Sequence, residues 1–345
     1  MLKKNKPSII IFMTICALAI CIVGAMFVQA EETQKSDSDQ KYIKWVKFNI
    51  PLEAMEKALK ADIENHDAEI KTPFVSLLGL LGAKYWGEWD RYKPSDMDDL
   101  IAKLKSGESE TDISKNYEKY PYFEKVYGAI FSQMIGKFSI AKENDSNGRP
   151  ILEEKYGLKA YSPIAYGYKF NHCRDFGNSR NFGYRRNHLG NDLMARSGTP
   201  IVAVESGIVA KCAWNKYGGW RIGIKSFDGL RYYYYAHCQK DHPFVEGLKE
   251  GDTVCAGQPI GYVGMTGYSE NENVNGMQRP HLHFGMQLIF HPSQEDGNNE
   301  IWIDVYDIVN FLEHHKSVLT KGPKDKDFRQ KYLFEDPTYR KFVKS

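Results

Sequence analysis

Two histidines stand two positions apart in the run His281-Leu282-His283-Phe284. On a β-strand, residues i and i+2 project from the same face, about 6.6–6.8 Å apart along the chain. One imidazole could therefore hold a metal ion while the other faces the same small volume. The pair alone is a weak signal, because two packed surface histidines would give the same pattern.

A further histidine precedes an acidic residue by four positions in His188-Leu189-Gly190-Asn191-Asp192. Imidazole nitrogen and carboxylate oxygen are both ligands that zinc accepts, at about 2.0–2.2 Å. A four-residue offset can bring both groups to one ion through a helical turn or a bend, and Gly190 permits a bend. An i,i+4 pair on a surface would look the same, so this segment needs support from others.

A third segment, Tyr235-Ala236-His237, closes a run of tyrosines. Strand alternation predicts that Tyr233, Tyr235 and His237 share one face. Together the three segments offer one aspartate and two histidines for zinc, with a position left for water. Two further histidines remain for proton transfer, since zinc lowers the pKa of its water toward about 7 and a neutral imidazole can take that proton.

These segments occur in the order of a known family, and they have companions along the chain. The matching stretches are Asp175-Phe176-Gly177-Asn178-Ser179-Arg180, His188 to Asp192, Thr199 to Ala203, Gly207-Ile208-Val209, Tyr235 to His237, Val263-Gly264-Met265-Thr266-Gly267 and Pro280 to Phe284. As an ordered set they resemble the lysostaphin-like (LytM-type) zinc metallopeptidases, which cut peptidoglycan peptides. The resemblance runs from about Tyr161 to Asp304.

The resemblance implies a role for each matching position. One zinc ion (Zn²⁺) per chain would be held by His188, Asp192 and His283. His237 and His281 would be catalytic and flank the bound water and the scissile carbonyl, with the choice of general base between them left open. Tyr235 stands at the family's tyrosine position, where it would either help stabilise the oxyanion or serve packing.

The chain also departs from the family pattern. The link from Tyr268 to Arg279 is longer than usual, and we expect it to lie beside the substrate groove. Gly285 stands where the family often has Glu, a change expected to be harmless. His172-Cys173 could offer rival ligands. Asn144 or Asn147 could occupy the open zinc position in a latent form, as family precursors suggest.

The sequence around these residues predicts the helices and strands that position them, in an α+β multidomain chain. Apolar residues recur at helical spacing from about Ile43 to Phe138, with a capping box expected at Ser95. A polar, turn-forming run then precedes short strands joined by glycine turns, including an Asp228-Gly229 hairpin. The predicted order is an N-terminal signal or anchor helix over 1–30, a linker over 31–43, a small all-α domain over 44–139, a linker over 140–155, a mainly antiparallel β-sheet metallopeptidase domain over 156–315 and a basic extension over 316–345.

The first thirty residues predict export. Lys3, Lys4 and Lys6 precede a charge-free stretch whose apolar part, 9–28, would measure about 30 Å as a helix. Val28-Gln29-Ala30 resembles a cleavage site, whereas the length of the apolar part favours a retained anchor. Either way the sequence predicts that residues from 31 onward lie on the extracellular side of a bacterial cell, secreted to the wall or anchored in the plasma membrane.

Charge and cysteine content limit the remaining possibilities. The net charge is +2, and 43 basic residues face 44 acidic ones when 1–30 are left out, which argues against nucleic acid as a partner. The extension over 316–345 carries +5 and would be solvated or loosely packed, or else in contact with anionic wall polymer. Cys173, Cys212, Cys238 and Cys255 could form disulfides or remain free thiols, and no Cys-x-x-Cys pair suggests a thiolate zinc site.

The sequence therefore predicts a zinc metalloendopeptidase whose partners are peptidoglycan peptides in stems or cross-bridges. The membrane is a possible second partner through the N-terminal helix. The main alternative is a non-catalytic, peptidase-like scaffold in a cell-envelope complex of sporulation or division. In a third interpretation the helical domain is the functional part and binds a protein partner of unknown identity.

Overall fold

A computed structural model describes residues 42–295, 297, 299–322 and 325–343. Lys44–Ser345 forms one compact unit. The predicted signal or anchor segment over 1–30 lies outside the described residues, as does all of the predicted 31–43 linker except Tyr42 and Ile43. In the part of the chain that is described, no helix is long and apolar enough to cross a membrane.

Five helices form the region that the sequence predicts to be helical. They are α1 (Leu52–Asn65), α2 (Phe74–Tyr85), α3 (Pro94–Lys105), α4 (Glu110–Ser114) and α5 (Tyr120–Phe131), with a 3-10 turn at Trp89–Arg91. The apolar positions Met97, Leu100 and Leu104 of α3 are buried, as their spacing predicts. The predicted capping box at Ser95 is wrong: Pro94 already starts the helix, and no side chain caps it.

The predicted linker over 140–155 is wrong, because these residues belong to a β-hairpin. Strands β1 (Ile135–Asn144) and β2 (Pro150–Leu158) pair antiparallel around a turn in which Asp145 accepts hydrogen bonds from the backbone. The polar run therefore marks the tip of a hairpin, and the helical region passes directly into a sheet.

A seven-membered path of strands forms the main sheet, and all its pairs are antiparallel, as predicted. The chain supplies β3 (Asn171–His172), β4 (Ser179–Phe182), β5 (Tyr184–Asn187), β6 (Asn191–Met194), β7 (Pro200–Val202), β8 (Gly207–Asn215), β9 (Gly219–Ser226), β10 (Arg231–Ala236), β11 (Thr253–Val254), β12 (Pro259–Tyr262), β13 (Leu282–Leu288) and β14 (Ile301–Ile303). The path runs β11-β8-β9-β10-β13-β6-β3, β14 also pairs with β13, and two-stranded pairs form from β4 with β5 and from β7 with β12. The predicted Asp228-Gly229 turn joins β9 to β10, with Gly229 at φ +74°.

The last described segment forms strands, a helix and buried contacts, and is more ordered than the solvated or loosely packed extension that the sequence predicts. It follows α6 (Tyr306–Glu313) and contains β15 (Leu319–Thr320), β16 (Arg329–Gln330), β17 (Leu333–Glu335) and α7 (Pro337–Val343). Strand β17 pairs with β1, and Phe334 is buried against Phe138. Buried Lys159 donates to Asp336 at 2.9 Å. The extension therefore completes the sheet of β1 and β2.

The helical region and the main sheet meet through buried contacts. The fully buried Arg231 of β10 donates two hydrogen bonds to Glu205, at 2.9 and 3.0 Å, and a third to the carbonyl of Ala129 in α5. Phe74 of α2 stacks on Phe311 of α6 with ring centroids 5.9 Å apart. The two parts therefore share packing and contribute to one compact unit.

Candidate metal centre

The fold brings together the three predicted zinc ligands. The antiparallel register of β6 and β13 places Asp192 opposite His283, and His188 lies in the loop between β5 and β6. His188 Nε2 lies 3.0 Å from Asp192 Oδ1 and 2.7 Å from His283 Nδ1, and His283 Nδ1 lies 3.3 Å from the same carboxylate oxygen. The ligand atoms of all three residues lie within 4.8 Å of one another.

The loop between His188 and Asp192 bends at Gly190, as the sequence suggests. Gly190 itself packs tightly against β13: a Cβ there would lie 2.5 Å from the carbonyl oxygen of Phe284 and 2.8 Å from Nε2 of His283. Glycine therefore lets the loop approach the strand that carries the third ligand.

Two residues outside the predicted ligand set hold the cluster in place. Arg180 Nη2 donates to Asp175 Oδ2 at 2.6 Å and to Asp192 Oδ2 at 3.2 Å. Asp175 Oδ1 accepts from the backbone N–H of Asp192 at 3.1 Å, and the Asp175 carbonyl lies 3.1 Å from His188 Nδ1. Both residues belong to a stretch that matches the family, but their role does not follow from the sequence, because it depends on contacts that only the folded chain makes.

Both predicted catalytic histidines are buried and line the same groove. Their rings are 4.8 Å apart, and His237 is 6.0 Å from His283, measured between centroids. His237 Nδ1 lies 2.8 Å from the Thr266 carbonyl and His281 Nδ1 lies 2.8 Å from the Arg279 carbonyl. Because a carbonyl can only accept, each neutral ring carries its proton on Nδ1 and leaves Nε2 as an acceptor.

The prediction that Tyr233, Tyr235 and His237 share a face is wrong. His237 follows the last residue of β10 with φ +61°, a left-handed conformation that ends the strand alternation. Tyr234 and Ala236 line the groove together with His237, whereas Tyr233 and Tyr235 are fully buried on the opposite side. The catalytic assignment of Tyr235 is therefore corrected: its hydroxyl accepts from Val204 N at 3.0 Å, and its ring packs on Phe284.

Burial and hydrogen bonding shift the pKa values of the cluster in opposite directions. Burial lowers the pKa of His237 well below its ordinary value, and the neighbouring His281 and His283 lower it further. Burial would also lower the pKa of His188, but hydrogen bonds to Asp175 and Asp192 raise it to about 9. His237 is thus neutral near pH 7 and able to accept a proton.

The groove beside the cluster is rich in aromatic and basic side chains. The long link between Tyr268 and Arg279 contributes to its wall, as predicted. The lining includes Arg180, Arg186, Tyr217, Tyr234, Tyr268, Met277 and Trp302. The Trp302 ring also occupies the space next to Gly285, where a Cβ would lie 2.9 Å from it, so glycine is required there rather than merely tolerated.

Other sequence-based candidates lie away from the groove lining. His172 stacks on Tyr306 and contacts Asn310, so it is not a rival ligand. Asn144 ends β1, and neither it nor Asn147 lines the groove. Within the described part of the chain, Cys173, Cys212, Cys238 and Cys255 are free thiols.

The residues present fit a zinc ion. Two imidazole nitrogens and one carboxylate oxygen are the donor set of a catalytic zinc site, and they converge on one point. Next to them His281 Nε2 is buried and has no hydrogen-bond partner among the described residues. A buried orphaned acceptor facing a groove is explained by a group that binds there.

Comparison with known proteins agrees with this geometry. The sequence between residues 186 and 296 matches the model of peptidase family M23. An L-Ala–D-Glu endopeptidase of Bacillus subtilis (strain 168) is 34% identical over 154 residues, which are 45% of this chain and 44% of the relative. Lysostaphin of Staphylococcus simulans is 40% identical over 98 residues, 28% of this chain and 17% of the relative.

A solved structure supports the fold over a longer range. A candidate glycyl-glycine endopeptidase lytM from Ruminococcus gnavus ATCC 29149 superposes with a TM-score of 0.51 at 23% identity, covering 80% of this chain and 92% of that one. The chain spans less than half the length of the curated relatives it matches. Residues 186–296 therefore form a peptidase family M23 domain, which confirms the resemblance to the lysostaphin-like peptidoglycan endopeptidases.

Proposed function

We propose that this protein is a zinc-dependent endopeptidase that hydrolyses peptide bonds in bacterial peptidoglycan, with one zinc ion per chain. The observation that carries the proposal is the convergence of His188, Asp192 and His283 beside two further buried histidines in an open groove. The family match over the same residues supports it. A scaffold without activity would not need all five of these side chains in one place.

A zinc ion held by His188 Nε2, Asp192 and His283 Nδ1 would act as a Lewis acid and lower the pKa of a water molecule. His237, neutral near pH 7, accepts a proton at Nε2 and can return it to the leaving amine. His281 Nε2 has no hydrogen-bond partner among the described residues and lies 3.7 Å from Asp192 Oδ1, so it faces the place where the scissile peptide group would lie. The backbone carbonyls of Thr266 and Arg279 keep these two rings oriented.

Which peptidoglycan bond is cut forms part of the proposal. The relatives are named for L-Ala–D-Glu and for glycyl-glycine bonds, and the longest match is to the first kind. We therefore propose a stem-peptide bond as the substrate. Such a substrate implies action outside the cytoplasmic membrane, while attachment through residues 1–30 stays a prediction.

Zinc content and peptide release from purified peptidoglycan, measured on the purified chain, test the proposal. We expect about one zinc per chain and release of soluble peptides. His188→Ala should lose both metal and activity, whereas His281→Ala should keep the metal and lose activity. His314→Ala is the matched control, because that side chain is 78% exposed. A chain that binds no zinc and releases no peptide would contradict the proposal and favour a non-catalytic scaffold.

A further inference from the structure

One arginine on the groove wall has no part in the mechanism described above. Arg186 lies in β5, directly opposite Arg180 of β4 in the antiparallel register. Its guanidinium lies over three tyrosine rings, with Cζ 4.7 Å from the centroid of Tyr217, 5.2 Å from Tyr268 and 5.9 Å from Tyr184. These rings hold a planar cation at the edge of the groove.

The two opposed arginines differ in how their charges are compensated. Arg180 is neutralised by Asp175 and Asp192. Arg186 forms no ion pair with any described residue, and its Nη1 atom is buried without a hydrogen-bond partner. A buried donor without an acceptor is unfavourable, because it has lost its hydrogen bonds to water and gained none in the protein.

An anionic group of a ligand would accept a hydrogen bond from this donor and compensate the charge of Arg186. A guanidinium presents a fork of N–H donors that matches a carboxylate, and such charge-assisted pairs are stronger than neutral hydrogen bonds. The surrounding rings limit the motion of the side chain, so little ordering is needed when a carboxylate arrives. A neutral glycine bridge offers no such group.

We propose that Arg186 is a specificity-determining residue that binds a free carboxylate of the substrate peptide close to the scissile bond. The inference rests on the proposed function and narrows it. It selects stem peptides in which an acidic residue beside the cleaved bond keeps its free carboxylate. A stem peptide whose acidic residue is amidated, or a chain of glycines, would bind less well.

Two synthetic peptides that differ in one group provide the test. One is L-alanyl-γ-D-glutamyl-L-lysine with a free α-carboxylate on the glutamyl residue, and the other carries the α-carboxamide. The L-Ala–D-Glu bond is N-methylated in both, so that neither peptide is hydrolysed. Binding of each to the full chain loaded with zinc is measured by titration calorimetry. A hydrogen bond between two charged groups is stronger than one to a neutral amide, so we expect the acid to bind about 10- to 100-fold more tightly than the amide.

Substitutions then assign the preference to Arg186. Arg186→Gln should remove the preference for the acid, and Arg186→Lys should retain part of it because the charge remains while the fork is lost. Arg185→Gln is the matched control, because Arg185 is exposed on the same strand and donates to Ser179 rather than lining the groove. Equal binding of the acid and the amide by the unsubstituted chain would overturn the proposal. A preference that survives Arg186→Gln would do the same.

Because neither peptide is cleaved, the outcome is separate from that of the proposed function. A chain that discriminates between the peptides through Arg186 but releases nothing from peptidoglycan keeps this inference and contradicts catalysis. A chain that cleaves peptidoglycan but binds both peptides equally contradicts the inference alone.

Discussion

A single methyl group added at Gly190 should disrupt the metal centre. The Cβ of Gly190→Ala would lie 2.8 Å from Nε2 of His283, 0.6 Å less than the distance at which ordinary contact begins. It would also lie 2.5 Å from the carbonyl oxygen of Phe284, which is fixed in β13. Either the His283 ring or the loop bearing His188 and Asp192 must move.

The size of the effect follows from the tolerance of metal sites. Ligand distances in such sites hold to within about 0.2 Å, so a displacement near 0.6 Å cannot be absorbed without loss of a bond or a change in angle. We expect zinc affinity to fall at least about tenfold, which corresponds to about 1.4 kcal/mol. Overpacking should lower the free energy of unfolding of the metal-free chain by about 1–3 kcal/mol.

Competition with a chromophoric chelator measures the affinity, and urea unfolding without zinc measures the stability. Gly128→Ala is the control, because Gly128 lies within α5 and its added Cβ would be in ordinary contact with Val75 of α2, at 3.8 Å. That variant should keep its zinc affinity and gain up to about 1 kcal/mol in stability from helix propensity. If Gly190→Ala binds zinc as tightly as the unsubstituted chain, the argument from close packing is wrong.

Four further outcomes are expected. Arg180→Met should weaken zinc binding about 10- to 100-fold, because Asp192, a proposed ligand, and Asp175, which holds His188 and Asp192, both lose their cationic partner; unchanged affinity in equilibrium dialysis would contradict this. Arg231→Met should lower the free energy of unfolding by about 3–5 kcal/mol, because Glu205 is left as a buried unpaired charge. A decrease of less than about 1 kcal/mol in urea unfolding would show that the Arg231–Glu205 pair is not needed for stability. Tyr235→Phe should leave kcat intact and cost about 1–3 kcal/mol of stability, whereas a large fall in kcat would restore Tyr235 as a catalytic residue. Burial holds the pKa of His315 below its ordinary value of 6.5, so as the pH falls the unfolded chain binds a proton before the folded chain does, and the free energy of unfolding should decrease below pH 6.5. In His315→Gln the free energy of unfolding should decrease less steeply between about pH 7 and pH 5. An identical slope in the variant would show that His315 does not cause the pH dependence.

The family resemblance implies His188, Asp192 and His283 as zinc ligands, and the fold brings their side chains together. The residue spacing alone allows such a site on a strand and a bend, but it does not choose between His281 and His283. His281 and His283 lie on one face of a regular extended segment, where a period of two applies. The same rule failed at His237, because one residue with positive φ turns its side chain into the groove. A single unusual φ angle does not change the pattern of residue types in the sequence, so Tyr235 is wrongly predicted to share the face of His237.

The incorrect predictions about the fold have a related cause. Strand β2 and the last residues of β1 are mostly exposed, so they lack the alternation of buried and exposed positions by which strands are recognised. The basic segment after residue 316 is stabilised by partners distant in sequence, such as Lys159 for Asp336. Arg186 was overlooked for the same reason, since its significance depends on rings contributed by three separate segments.

The pairing of β17 with β1 also bears on how the chain folds during synthesis. Lys159 and Asp336 are 177 positions apart. Contacts between residues so distant in sequence form late, and they lower the folding rate. The ribosome synthesises β1 and β2 well before β17, so one edge of β1 stays unpaired until β17 emerges. Open edges recruit strands from other chains. Loss of residues 329–343 would leave the edge of β1 unpaired permanently, and such a product should aggregate even though every proposed metal ligand has been translated.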